Sequence, residues 1–175
     1  LNMGEFYSEF GTFDVKITLP EDYRIMATGD MINEKEELAW LDSLSSIGDS
    51  LKNLTKKELA KHFKEKKSKS DKKKKSTEKD SLKVYPNKTI HFRQNNVHDF
   101  AWFADPNWIV QKGELWLDDS SKQIALWSMY LPKNAWMWRK SLDYMHDSGL
   151  WYSRFYGDYP YNHISAVDGD MSAGG

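Results

Sequence analysis

FGTFDVKITLPEDYRIMATG, residues 10–29, sets the fold class. Phe13, Val15, Ile17 and Leu19 alternate with Thr12, Asp14, Lys16 and Thr18, the period-two pattern of a strand with one buried and one wet face. Pro20-Glu21-Asp22 supplies a turn suited to the fixed φ of proline. Tyr23, Ile25 and Ala27 alternate again as far as Thr28-Gly29-Asp30. Two such runs joined by a short loop predict an antiparallel pair.

Outward from this pair the strand text resumes at Lys88, with Ile90 and Phe92 on one face and His91 and Arg93 on the other. Val97 to Ala104, Trp108 to Gln111, Glu114 to Leu117 and Gln123 to Tyr130 are further candidates. The last is apolar on both faces and is expected to be well buried. Past Pro132 the period changes. Trp138, Leu142, Met145, Gly149, Tyr152 and Tyr156 step by four, three, four, three and four, a helical stripe that Trp151 and Phe155 widen. Gly157 suits the C-cap and Pro160 prevents continuation. Ile164 to Val167 reads as a short strand.

Residues 33–81 have a different character. Glu34 to Leu44 predicts a short helix, with acidic residues early where the helix dipole favours them. Asp49 is a candidate N-cap for a second helix carrying Leu51, Leu54, Leu59 and Phe63. From 65 to 81 the text is almost all Lys, Ser, Asp and Glu, too polar to offset the entropy of ordering it, so a disordered or frayed loop is expected. Residues 41–81 read as a charged insertion between strands.

The 175 residues are 39% hydrophobic, 29% charged and 14% aromatic, the mixture of a globular chain. The net charge of −1 hides an asymmetry. Lys52 to Lys83 holds fourteen Lys against five acidic residues, so the remainder of the chain is acidic. The absence of Cys excludes disulfides, a thiolate metal site and a Cys nucleophile. No stretch approaches the roughly 20 apolar residues of a membrane-spanning helix. The chain opens at Leu1 within strand-like text and closes on Gly174-Gly175, and an internal piece of a longer protein is expected.

Chemistry-bearing motifs are sparse. None of the five histidines, 62, 91, 98, 146 and 163, forms HExxH, the spacing that puts two imidazoles on one helix face around zinc. His98-Asp99 and His146-Asp147 suggest a base with its orienter. Neighbours on a strand point to opposite faces, however, and a structural or surface role is the expectation for each histidine. Asp168-Gly169-Asp170 lacks the remaining spacing of a calcium loop and reads as a turn. The Lys run has no Arg and no interleaved aromatics, so it reads as a solvated insertion and not as a nucleic-acid grip. Most Trp and Tyr fall at core-facing spacings and are expected to pack.

One phrase adds more. NVHDFAWFADP at 96–106 resembles the bacterial branch of the M-one family of zinc metallopeptidases, the alanyl aminopeptidase type. FGTFDVKITLPEDYRIMATG at 10–29, TIHFRQNNVHDFAWFADP at 89–106, the aromatic helix at 135–156 and YGDYPYNHISAVDGDMSAGG at 156–175 follow in that family's order. The resemblance covers about three quarters of the chain and omits the Lys-rich insertion.

It implies an α+β, mainly β fold. Residues 1–121 would be the later strands of an antiparallel saddle-like β-sandwich. Residues 122–175 would open a thermolysin-like catalytic domain, truncated before its zinc site. The family's exopeptidase motif, GxMEN or a GGMEY-like variant, would begin at Gly174 and Gly175, which would then approach substrate backbone. The glutamate of that motif, HExxH and the last zinc ligand would all lie past Gly175, so no catalytic or metal-binding residue is expected in this chain. Zinc, a peptide substrate and the rest of the catalytic domain are the implied cofactor and partners of the whole polypeptide, with no nucleic acid. A non-enzymatic β-sandwich binding module and a degenerate peptidase scaffold remain the alternatives.

Overall fold

A computed structural model describes residues 8–32, 35–75, 86–117 and 122–169, the side chains of 66–75 excepted. The fold is α+β. In chain order it comprises β1 (Gly11–Pro20), β2 (Arg24–Ala27), β3 (Asp30–Met31), α1 (Lys35–Lys52), α2 (Lys56–Lys75), β4 (Asn87–Val97), β5 (Trp102–Asp105), β6 (Ile109–Trp116), β7 (Gln123–Tyr130), a 3-10 turn (Pro132–Asn134), α3 (Ala135–Trp138), α4 (Ser141–Tyr156) and β8 (His163–Val167).

The period-two reading of β1 holds, with Ile17 and Leu19 buried and Thr12, Asp14, Lys16 and Thr18 exposed. Its predicted partner does not. β1 pairs antiparallel with β4, and β2 pairs antiparallel with β5. The two strands face each other instead of lying side by side. Ile17, Leu19, Ile90 and Phe92 meet Ile25 and Ala27 in one core cluster, because pairing with distant strands lets both apolar rows be covered. β3 completes the order β1-β4-β3.

Trp108 to Gln111 and Glu114 to Leu117, expected as two strands, are mostly one, β6. It pairs antiparallel with β7 from Ile109↔Tyr130 to Trp116↔Gln123. β8 then joins β7 in parallel, reached through α3 and α4 in the crossover that a parallel pair requires. This sheet, in the order β6-β7-β8, draws on both sides of residue 121. β7 is buried along nearly its whole length, as expected of a strand apolar on both faces.

The helices differ most from expectation. The helix predicted to stop near Leu44 runs to Lys52, straight through Asp49. Its buried residues are Glu37, Leu41, Ser45, Gly48 and Leu51, a helical stripe in which two members are small and one is charged. The second helix starts after Thr55, whose N–H and Oγ1 both donate to Glu58 Oε2 at 2.7 Å. Glu58 N–H donates back to Thr55 Oγ1 at 3.4 Å, closing a capping box.

The loop expected over 65–81 is helix as far as Lys75. Lys is a good helix former and neither Gly nor Pro interrupts residues 49–85. Residues 76–81 lie outside the described residues. The insertion is also no mere appendage. Leu41 enters one core cluster with Trp127 and Met129, and Leu51 and Leu59 enter another with Ile109 and Tyr130.

The aromatic helix is broken at Arg139-Lys140 into α3 and α4. Gly157 ends it as expected, with φ 101° and its N–H donating to Ser153 O at 3.0 Å. Leu142 and Gly149 of the stripe are buried. Trp151, Tyr152, Phe155 and Tyr156 are exposed, Tyr156 by 82%. The expectation that most Trp and Tyr pack inside fails for this end of α4 and for Trp102, Trp116, Trp136 and Tyr144. A third of a helix circumference suffices to cover one sheet, and this stripe is wider than that. Among the described residues no helix is long and apolar enough to cross a membrane.

Candidate functional site

A cleft lies where β8 meets the N-terminal strands. It has a volume of about 270 Å³ and is lined among others by Thr28, Gln94, Phe103, Tyr161, His163 and Ser165. Three side chains from the segment before and at the start of β8 tie that strand to the N-terminal strands, and two of them, Tyr161 and His163, line the cleft. Tyr161 Oη donates to Asn96 O at 2.7 Å, Asn162 Nδ2 donates to Asp30 Oδ2 at 2.6 Å, and His163 Nε2 lies 2.8 Å from Gly29 O. A carbonyl only accepts, so the neutral His163 ring carries its proton on Nε2. Nδ1 then accepts from Ser165 Oγ at 3.1 Å.

Local backbone conformations make these contacts possible. Gly29 has φ 96°, and a Cβ there would come within 2.6 Å of Arg93 O, so the turn needs glycine on both counts. Asn96, at φ 57°, is the one non-glycine residue of positive φ among the described residues, a conformation Asn tolerates better than most. Thr28 holds the floor, its N–H donating to Ala101 O at 2.9 Å and its Oγ1 accepting from Ala101 N–H at 3.1 Å. His163 is the one imidazole in the lining, and its surroundings are otherwise uncharged. The cleft can hold a small neutral or apolar group and offers hydroxyl, amide and imidazole contacts. Among the described residues no group of three or more His, Asp and Glu side chains is arranged to hold a metal ion.

The other histidines are dispersed. His91 Nε2 lies 2.7 Å from Asp14 Oδ1 on the wet face of β1 and β4. That hydrogen bond, helped by the charges of His91, Arg93 and Lys16, lowers the Asp14 carboxyl below its ordinary range. His98 and Asp99 do not meet. His98 Nδ1 donates to Ser8 O at 3.1 Å, while Asp99 Oδ1 accepts from Ser8 Oγ at 3.3 Å. His146 Nδ1 approaches Asp147 Oδ1 at 3.3 Å on the exposed face of α4. His62 buries its Nε2 without a hydrogen-bond partner.

Asp168 is buried and acts as a bracket. Its Oδ2 accepts from Leu131 N–H at 3.0 Å and from Asn134 Nδ2 at 2.8 Å, tying the end of β8 to the turn after β7. A turn was expected there, but not this buried carboxylate. Asp170, Gly174 and Gly175 lie outside the described residues.

A second polar groove lies between α1 and β4. There Lys88 Nζ donates to both oxygens of Glu37 at 2.7 and 2.8 Å, and it sits 4.1 Å from the Trp40 ring centre. The pair is largely buried on both sides. It clamps α1 to β4, which no local sequence signal announces, because Glu37 and Lys88 are 51 residues apart.

No protein-family model matches this chain, and no curated protein matches it either.

Proposed function

We propose that this chain is part of a zinc-dependent aminopeptidase, supplying a wall of the substrate cleft and the approach to the glycine strand, not the catalytic residues. On this reading residues 1–121 belong to the saddle-like β-sandwich and 122–175 open the thermolysin-like domain. The ordered motifs at 10–29, 89–106 and 156–175 suggest it. The observation that carries it is the position of β8. Among the described residues this strand pairs with β7 alone, leaving its other edge open. Its start is bonded to Gly29, Asp30 and Asn96 of the N-terminal strands.

A strand held in that way is suited to present backbone to a peptide, and on this reading Gly174 and Gly175 follow it in sequence. Glycine there lets the two backbones approach closely. Zinc with an open water position supplies the hydrolytic chemistry in such enzymes. On this reading the side chains that would hold it are not among those of this chain.

The coding DNA beyond Gly175 tests the reading. A GGMEY-like motif followed by HExxH supports it, and zinc-dependent release of aminoacyl reporters by the whole reading frame completes the case. Substituted zinc ligands would support a degenerate scaffold instead, and a frame without the metal motif would remove the peptidase reading. The exposed Trp102, Trp116, Trp136 and Trp151 favour a non-enzymatic binding module as the second reading. Specific glycan-array binding by this chain would argue for it.

A further inference from the structure

Helix α4 carries two rows of side chains with different fates. Leu142, Gly149 and Ser153 are buried against the sheet, and Met145 packs on the same core cluster. A second row, Tyr144, Ser148, Trp151 and Phe155, steps by four, three and four along another side and is exposed throughout. That is the seam spacing of a coiled coil. Tyr144, Trp151 and Phe155 are 64%, 51% and 71% exposed, and Tyr152 and Tyr156 beside them are 66% and 82% exposed. At about 200 Å² per aromatic, these five leave roughly 650 Å² in water. That exceeds what single chains usually leave open and approaches the ~800 Å² that each partner gives to a stable interface.

We propose that this row is the contact face of a symmetric dimer, in which α4 lies antiparallel against α4 of a second copy. The row is complementary to itself when reversed. Tyr144 then meets the second copy's Phe155, and Ser148 meets the second copy's Trp151. The one small residue of the row thus lies opposite the largest. A groove of about 400 Å³, lined by Tyr144, Met145, Ser148 and Tyr152 among others, opens beside Ser148 and has room for the indole.

The charges at the rim agree with this orientation. Asp147 and Arg154 flank the seam on one side, seven residues apart. Reversal brings each Asp147 to the second copy's Arg154, the flanking pairing that sets orientation between such helices. Arg154 already lies over the Trp151 ring, 5.0 Å from its centre, at the border of the seam. A parallel arrangement would set Ser148 against Ser148 and Trp151 against Trp151, and would not bring the two charges together. Two identical faces close on each other, so the product is a dimer and not a filament. Dimerisation through α4 would hold whether or not the chain belongs to a peptidase.

Sedimentation of the chain from about 1 to about 100 μM tests this. A species of twice the 20.5 kDa chain mass is expected, giving way to monomer on dilution. Trp151→Glu, at an exposed helix position, should weaken the dimer by roughly tenfold or more at unchanged circular dichroism. Asp147→Arg and Arg154→Asp should each weaken it by about threefold, and D147R/R154D should restore it. Association through any other face would not show that rescue. Monomer at every concentration overturns the proposal and leaves the face to another partner. Open-ended assembly, or a dimer indifferent to Trp151→Glu, overturns it as well. So does a double charge variant that dimerises no better than the single ones. Should Trp151→Glu misfold, the three charge variants decide alone.

Discussion

His163 Nε2 meets the backbone oxygen of Gly29 at 2.8 Å, joining residues 134 positions apart. This bond and the Ser165 contact hold the first residue of β8 against the turn between β2 and β3. His163→Phe keeps most of the ring volume and removes both bonds, leaving the Gly29 carbonyl short of a partner. A loss of about 1–2 kcal/mol is expected in urea unfolding. Full stability in this variant would mean that ring packing, and not hydrogen bonding, closes the seam. Nitrogen-detected NMR of the neutral ring should also show the proton on Nε2.

Gly48 lies inside α1, where alanine ordinarily stabilises a helix by about 1 kcal/mol. Here the sign should reverse. A Cβ at this position would run into the Val110 carbonyl oxygen of β6, which is backbone and cannot swing aside. Gly48→Ala should lower the midpoint of thermal unfolding and loosen amide protection along β6. A raised midpoint would show that α1 does not approach β6 this closely.

Tyr130 is fully buried, and its hydroxyl has no hydrogen-bond partner. Burial first, and the Asp49 charge second, push its ionisation far above the ordinary tyrosine range. The hydroxyl thus costs desolvation without a compensating bond. Tyr130→Phe should be neutral or stabilise by up to about 1 kcal/mol. Strong destabilisation would reveal a partner for that oxygen. The tyrosinate absorbance of the folded chain should also lag behind that of the unfolded chain as pH rises.

The Thr55–Glu58 box starts α2. The Thr55 hydrogen bonds lower the Glu58 carboxyl below its ordinary range. A depressed carboxyl contributes stability above its unfolded pKa and loses it as pH falls through the folded one. Helical signal from α2 should therefore weaken in acid, below the usual glutamate range. Thr55→Ala should cost about 1 kcal/mol and shrink that acid step, the backbone N–H of residue 55 still donating to Glu58. An acid step undiminished in Thr55→Ala would have another origin.

Much of the fold is legible one segment at a time. Alternation in 10–29 and 88–93 marks the strands, and the double-sided apolar run at 123–130 marks the buried one. The spacing from Trp138 announces a helix, and Gly157 announces its end. Helix α1 is misread beyond Leu44 because its buried face is completed by Ser45 and Gly48, which carry no hydrophobic signal. At the candidate site, Gly29 and the segment 156–175 are singled out only as parts of the quoted motifs. His163 is indistinguishable from the other four histidines until β8 is set against the turn at Gly29.

Local sequence alone reveals which strand faces are wet, where α4 stops at Gly157, and that residues 52–83 concentrate positive charge. Those properties follow from local periodicity and side-chain chemistry, which need no knowledge of neighbours. Only the tertiary structure decided that β1 joins β4 while β2 joins β5, that Glu37 and Lys88 clamp α1, and that five aromatics of α4 stay exposed. Alternation specifies that a face must be covered but not by what. The partner is chosen by which distant surfaces can close together without leaving polar backbone unpaired.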